Sequence, residues 1–417
     1  MPVVAARGHA ALRALVRAGS SAGVAACVAA SAFAQAPSSL SLNDAIGRAI
    51  AANRTVLAAR AARAIDVAGI RAAAQRPNPE FSVEEERETP HWSVGGTLPL
   101  EIAGKRARRI DVANATLAVT EADTARVMAD VRADVRRAYY QAVAASRRVD
   151  VAQELENVAS RASTAAQERF QTGAAPRLDA LQAQLALSEA QNETARARGE
   201  LQAFRAELNT LLGYSADAAP ALSDTLEGGA PPSMNAAVAQ ALAANADLRV
   251  LDRQLDEARA RVALARAMRR PDPSVSATLT YDAQPEFTTG WRLGAAVALP
   301  VFTTGRADVA VAEATVIRAQ ADRDAKAAQV SGAVAAAVAR AAAARQAVER
   351  YQTEILPAAQ QVEAMAQESY TSGQTGLPAL LQTLQAGREI RQRAVQAGLD
   401  YQLALADLER AIGTPLQ

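Results

Sequence analysis

The sequence predicts a mainly α-helical chain with a small β part, built as two copies of one plan. Three observations carry that expectation. Residues 76–106 interrupt an alanine-rich, helical sequence with the order helix, proline, hairpin, proline, glycine, helix, and residues 270–306 repeat that order. Residues 105–172 contain neither proline nor glycine. As one helix they would extend about 100 Å at 1.5 Å per residue, too long for an ordinary globular core.

The duplication is legible residue by residue. Pro77 and Pro79 correspond to Pro271 and Pro273, Trp92 to Trp291, Pro99 to Pro300, and Gly104-Lys105 to Gly305-Arg306. Ala51-Ala52-Asn53 returns as Ala243-Ala244-Asn245, Phe170-Gln171-Thr172-Gly173 as Tyr370-Thr371-Ser372-Gly373, and Leu212-Gly213 as Ile412-Gly413. The repeat therefore spans nearly half the chain and is not a short-period solenoid. We place the first repeat at residues 35–213, a Gly/Pro/Ser-rich linker at 214–233 and the second repeat at 234–417.

Composition narrows the class. Among 417 residues aromatics make up 4%, and alanine is abundant. Such a chain suits long helices packed through small side chains better than a thick core. The formal net charge is +1 with both signs interspersed, so nothing points to nucleic acid. At the N-terminus, Arg7, Arg13 and Arg17 precede a short apolar run ending in Ala32-Phe33-Ala34, which predicts a secretory signal over residues 1–34. Residues 24–27 also fit a lipoprotein box, making Cys27 a competing lipidation site. Cleavage after Ala34 is preferred because apolar sequence continues past Cys27, and the mature chain then has no cysteine.

In chain order, residues 42–75 read as the first helix, ended by Pro77 and Pro79, which lack the N–H and disfavour helical geometry before them. Residues 80–89 and 92–100 read as two strands of a hairpin (79–100), closed by Pro99. Gly104 releases the long helix 105–172. Gly173 and Pro176 turn the chain into a helix at 177–212, whose Leu178, Leu181, Leu185, Leu201, Phe204, Leu208 and Leu211 stand at the three-and-four spacing of a coiled-coil seam. The second repeat gives a helix at 235–269, with Leu248, Leu251, Leu255 and Val262 on one face, and a hairpin at 272–301. A long helix at 308–372 follows, interrupted at Gly332 and Pro357, then a turn at 373–376 and a last helix ending near Gly413.

The strands indicate their surroundings. Val275, Ala277, Leu279 and Tyr281 alternate with Ser274, Ser276, Thr278 and Thr280, and Trp291, Leu293, Ala295 and Val297 alternate with Arg292, Gly294 and Ala296. About ten residues with one apolar and one small or polar face fit a soluble amphipathic hairpin as well as a tilted membrane strand between lipid and water; the secretory leader, the duplication and the long helices favour the membrane strand. Val275, Leu279, Leu293 and Val297 are the expected lipid-facing positions, and Trp92, Tyr281 and Trp291 an interfacial aromatic belt. In the first hairpin Phe81 and Val83 fit the pattern while Glu85 and Arg87 break it. Open strand edges are not tolerated in lipid, and four strands are too few to close. Several chains must then share one outer-membrane barrel, continued by a helical tube.

That layout resembles the TolC-type outer-membrane efflux family (outer membrane factors) over nearly all of the mature chain. The resemblance rests on the paired proline–hairpin–proline–glycine units and on the turns Phe170–Gly173, with Asp179 beyond, and Tyr370–Gly373. Leu98-Pro99-Leu100-Glu101 before Gly104-Lys105-Arg106 is similar to the heavy-metal, CzcC-like subgroup. It implies a homotrimer in which each chain gives four strands to a twelve-stranded barrel above a long coiled-coil α-helical barrel. It also implies a passive exit duct that docks through turns at Gly173, Asp179, Gly373 and Gly376 onto a periplasmic adaptor and an inner-membrane RND-type pump. The chain departs from the family at Ala379 and Gln382, where acidic residues often narrow the periplasmic entrance.

Other chemistry finds little support in the residues. Gly104-Lys105 lacks the glycine and the Ser or Thr of a phosphate-binding loop, Pro99 and Arg106 standing there instead. His91 is the one histidine expected in the mature chain, so no zinc site of soft ligands, no cofactor and no catalytic centre is expected. Glu84, Glu85, Glu86 and Glu88 could attract cations at the outer mouth, but read better as a solvated loop edge. Two further readings stand beside the efflux duct: a channel for type I protein secretion, and a periplasmic coiled-coil structural protein.

Overall fold

In the computed structural model, residues 39–88, 90–285 and 287–416 are described. The predicted leader and Cys27 lie outside them. The elements run β1 (Ser39–Leu40), α1 (Leu42–Ala52), α2 (Arg54–Ala73), β2 (Glu80–Glu85), β3 (Trp92–Pro99), α3 (Lys105–Gln171), α4 (Arg177–Leu212) and β4 (Ala221–Leu222). The second half supplies α5 (Met234–Ala244), α6 (Ala246–Met268), β5 (Pro273–Ala283), β6 (Phe287–Val297), α7 (Arg306–Arg350), a π-helical turn (Tyr351–Ile355), α8 (Leu356–Thr371) and α9 (Leu377–Ile412).

The two expected single helices before the hairpins are each broken once, at Asn53 and Asn245. Neither position holds proline or glycine. The Asn53 side chain accepts from the Thr55 and Val56 N–H groups, and Asn245 accepts from Asp247 and Leu248. Each caps the second helix at its start. Each amide also donates outward, Asn53 Nδ2 to the Leu211 carbonyl at 3.1 Å and Asn245 Nδ2 to Ala411 at 2.8 Å. The break is thus paid for by a tertiary contact with the end of the returning helix.

The long second-repeat helix passes through Gly332 without interruption. Its break comes at Tyr351–Ile355, one wide turn ahead of Pro357, which sits in the first turn of α8 where no N–H is needed. By length and composition this run is apolar enough to cross a membrane, but its apolar content is mostly alanine and valine. Val330, Val334, Ala337, Val338 and Ala341 are buried with Tyr401, Leu405, Leu408 and Ile412 of α9.

The leucine seam expected along α4 holds in its second half, where Leu208 is buried and Leu201, Phe204 and Leu211 half-buried, but in the first half it is not the one the chain uses. Leu178 and Leu185 are each 61% exposed, whereas Ala180, Ala183, Ala190 and Ala197 are buried, with Ala159 and Ala166 buried on α3. A seam of methyl groups brings two backbones closer than one of isobutyl groups, so Leu178, Leu181 and Leu185 turn outward.

The linker is folded. Ala221–Leu222 pairs in parallel with Ser39–Leu40. Tyr139, fully buried, donates its hydroxyl to the Leu40 carbonyl and accepts from the Asp224 N–H. Gln402 Nε2 donates to the Leu226 and Glu227 carbonyls, fixing the linker to α9. Burial, first, raises the Tyr139 phenol to about 12.

Candidate functional site

The four long strands form one antiparallel sheet in the order β2-β3-β5-β6, with β2 and β6 as open edges. Register decides what each face presents. Val83 lies opposite Val94, Val94 opposite Leu279, and Leu279 opposite Trp291. This apolar row crosses all four strands. The next row on the same face is Phe81, Gly96, Ala277 and Leu293, and Leu98, Val275 and Ala295 continue it. On the opposite face Ser82, Gly95, Thr278 and Arg292 align, as do Glu84, Ser93, Thr280 and Gly290.

The faces differ in exposure as well as chemistry. Leu279 is 59% exposed and its neighbour Thr280 is 8% exposed. Crowding on the polar face is visible at its glycines. A Cβ on Gly95 would lie 3.0 Å from Ser82 Oγ and 3.2 Å from Thr278 Oγ1, and one on Gly294 would lie 2.7 Å from Ser276 Oγ. On β3 and β5 the apolar face is thus the outward, exposed one and the polar face the covered one, while on β6 both are exposed. Val275, Leu279, Leu293 and Val297 all lie on the outward face. Trp92 and Tyr281 pair in one row near the loops, and Trp291 stands one row deeper. The strand expected over 80–89 ends at Glu85, because the Glu86 N–H donates to the His91 carbonyl at 2.9 Å and closes the loop there.

Below the sheet, prolines and glycines mark the change to helix. Pro99 and Pro273 are terminal residues of β3 and β5; Pro77, Pro79, Pro271 and Pro300 lie just outside strands. Gly104 (φ +71°) and Gly305 (φ +63°) stand at the starts of α3 and α7 in the left-handed region, which a side chain would disfavour. Here lies a contact that sequence could not supply. Lys105, 5% exposed, holds Asp272 across the two repeats. Burial pushes the Asp272 carboxyl up, but bonds from the Lys105 ammonium and the Ile102 N–H outweigh it and hold it below the usual range. Arg109 completes the joint, pairing with Glu101 and donating to the Ala73 and Gln75 carbonyls.

At the far ends of the long helices the two turns share one pattern. Ala174 N–H donates to the Arg169 carbonyl and Gln374 N–H to that of Ser369, both at 2.8 Å. Gly173 and Gly373 have φ of +74° and +76°, with open space where a Cβ would stand. The turns are brought together: Ala166, Ala183 and Leu377 bury one another with Tyr370 against them, and the Arg169 guanidinium lies 5.7 Å from the Tyr370 ring. Asp179 is in the first turn of α4, and Gly376 precedes α9. Ala379 and Gln382 are exposed on the first turns of α9. The outward leucines Leu178, Leu181 and Leu185 flank the first turn. Among the described residues no three His, Cys, Asp or Glu side chains are grouped as a metal site.

Comparison with known proteins agrees with this geometry. The family model for outer membrane efflux proteins matches residues 45–214 and 237–414. The cobalt-zinc-cadmium resistance protein CzcC of Cupriavidus metallidurans is 27% identical over 388 residues, covering 91% of each chain. Among solved structures, CusC superposes with a TM-score of 0.72 at 18% identity, covering 89% of this chain and 92% of that one. The outer membrane protein VceC from Vibrio cholerae gives 0.71 at 17% identity, covering 90% and 97%. A sheet with an apolar outer face, continued by long duplicated helices and matched by the family model across both repeats, places this chain in the outer membrane efflux protein family.

Proposed function

We propose that the chain is one subunit of a homotrimeric exit duct in the outer membrane of a Gram-negative bacterium, its helices reaching into the periplasm. The observation that carries this reading is the apolar row Val83–Val94–Leu279–Trp291, unbroken across a sheet with two open edges. Such a face needs lipid, and such edges need further strands. Three copies supply twelve strands and surround the polar face with Ser82, Ser93, Thr278 and Arg292 toward the lumen. The duct is passive. Its turns at Gly173 and Gly373, with the exposed leucines beside them, dock on a periplasmic adaptor, which joins an inner-membrane RND-type pump. Selection then resides in the pump. Heavy-metal cations are the favoured cargo, on the strength of the cobalt-zinc-cadmium resistance relative. The test is deletion and complementation: loss of the gene should raise cellular zinc, cobalt or cadmium and lower the tolerated concentration. Unchanged metal tolerance with impaired export of a protein or drug would overturn the cargo assignment. Recovery of the folded protein from the soluble periplasm would overturn the duct itself.

A further inference from the structure

The helices that leave the sheet keep its order. α2 leads into β2, β3 into α3, α6 into β5 and β6 into α7. α2 packs on α3, α3 on α6 and α6 on α7, as the strands lie side by side. The array thus has two free flanks, α2 and α7, each continuing an unpaired strand edge. Each flank exposes a large aliphatic side chain to solvent: Ile65 on α2 is 74% exposed and Ile317 on α7 is 72% exposed.

The internal duplication indicates what covers them. Inside the chain the repeats meet where α3 lies on α6, and there Thr116 Oγ1 donates to Glu257 Oε1 at 2.8 Å. Thr116 is the twelfth residue after Gly104, and Ile317 the twelfth after Gly305. Glu257 is the twelfth after the capping Asn245, and Ile65 the twelfth after the capping Asn53. Ile317 and Ile65 are therefore the duplicate positions of a pair already in contact.

We infer that α7 of one protomer packs on α2 of the next copy as α3 packs on α6, with Ile317 of one against Ile65 of the other. The inference rests on the shared-barrel reading and adds the contact that closes the helical ring. Around a trimer, the polar Thr116–Glu257 seam within each chain then alternates with an apolar seam between chains.

Two experiments test it. The double variant Ile65→Cys, Ile317→Cys is oxidised with copper–phenanthroline in outer membranes and run without reductant. Dimer and trimer bands that reductant collapses, absent from either single variant, are expected. The unoxidised sample is sized in mild detergent. Trimers that do not cross-link overturn the seam and leave the shared barrel standing; monomers overturn both. Cross-linking of a single variant also overturns the pairing. In the second experiment the interior pair is transplanted. Ile65→Glu alone should lower the yield of heat-resistant trimer several-fold, and adding Ile317→Thr should restore most of it. Equal loss in the single and double variants would overturn the assignment.

Discussion

Lys105 Nζ lies 2.7 Å from Asp272 Oδ2, joining the first residue of α3 to the residue before β5. The ammonium is 5% exposed and the carboxylate 31%. The pair fixes where the sheet of one repeat meets the helix of the other. Removing one partner of a buried pair costs more than replacing both, because a buried charge is left uncompensated. Asp272→Ala should therefore destabilise the extracted protein by about 3 kcal/mol, the low end for a buried pair since the carboxylate is partly solvated. Lys105→Met with Asp272→Ala should recover part of that loss. Thermal melts followed by circular dichroism check the order; a double variant weaker than the single would contradict it.

Asp247 gives a pH dependence whose sign is fixed. Burial raises its pKa, but the Lys326 ammonium at 3.0 Å and Arg410 at 3.3 Å outweigh this and hold it below the usual range. A group depressed in the folded state contributes stability above its unfolded pKa and loses it as pH falls through the folded value. The contribution should be intact at neutral pH and fade below about pH 4, the ordinary aspartate value. Asp247→Asn should lower the melting temperature at pH 7 and narrow its gap to wild type as the pH is taken below 4. A gap that stays constant would show that Asp247 does not carry this dependence.

The outward face of the sheet is tested by depth. Arginine at Leu279 or Leu293, in the middle of β5 and β6, should cost about 2–4 kcal/mol near the bilayer midplane and lower the yield of assembled barrel. Thr278 is a poor lumenal control because it stands opposite Arg292, and like charges there would repel. Ser93, opposite Glu84 on the polar face, is the better one. Ser93→Arg should assemble normally; equal loss at Ser93 and Leu279 would mean the faces are inverted or the sheet is not in lipid.

Duplicate joints should have similar worth. Asn53→Ala and Asn245→Ala each remove a helix cap and an amide bond to a distant carbonyl. Each should cost about 1–2 kcal/mol by the capping loss alone. Urea melts showing one variant neutral and the other severe would indicate that the repeats do not share this joint.

These elements also show what sequence made legible. Prolines and glycines located the changes between helix and strand around both hairpins, because their constraints are local and survive any context; the short pair β1 and β4 carried no such signal. Alternation located the faces of β5 and β6 for the same reason. The breaks at Asn53 and Asn245 were not legible, since an asparagine ends a helix only where a distant carbonyl, here of Leu211 or Ala411, receives its amide. Leu178, Leu181 and Leu185 misled more instructively. Three-and-four spacing marks an apolar stripe, but it does not say whether the stripe meets the same chain or another. Alanines 180 and 183 took the internal seam because small side chains permit the closer approach. Lys105 and Asp272, far apart in sequence, carried no mutual signal at all.

The turns at Gly173 and Gly373 are the features closest to function. Both glycines are left-handed and exposed, and neither has an atom within 4 Å of where a Cβ would stand. A substitution there pays the left-handed penalty, about 1–2 kcal/mol, without a clash, so the long helices remain folded. Asparagine tolerates that conformation and projects little, whereas tryptophan projects a bulky ring from the end of the hairpin. If the turns serve only to reverse the chain, both substitutions should behave alike. If they dock on an adaptor, they should diverge. We predict that Gly173→Trp and Gly373→Trp leave trimers in the outer membrane but abolish export and adaptor cross-linking, while Gly173→Asn and Gly373→Asn retain both. The paired burial of Leu377 with Ala166 and Ala183 holds the two turns side by side, so either tryptophan alone should suffice. Tryptophan variants that still export and still cross-link would move the docking surface away from the turns and along the helices, to the outward leucines of α4.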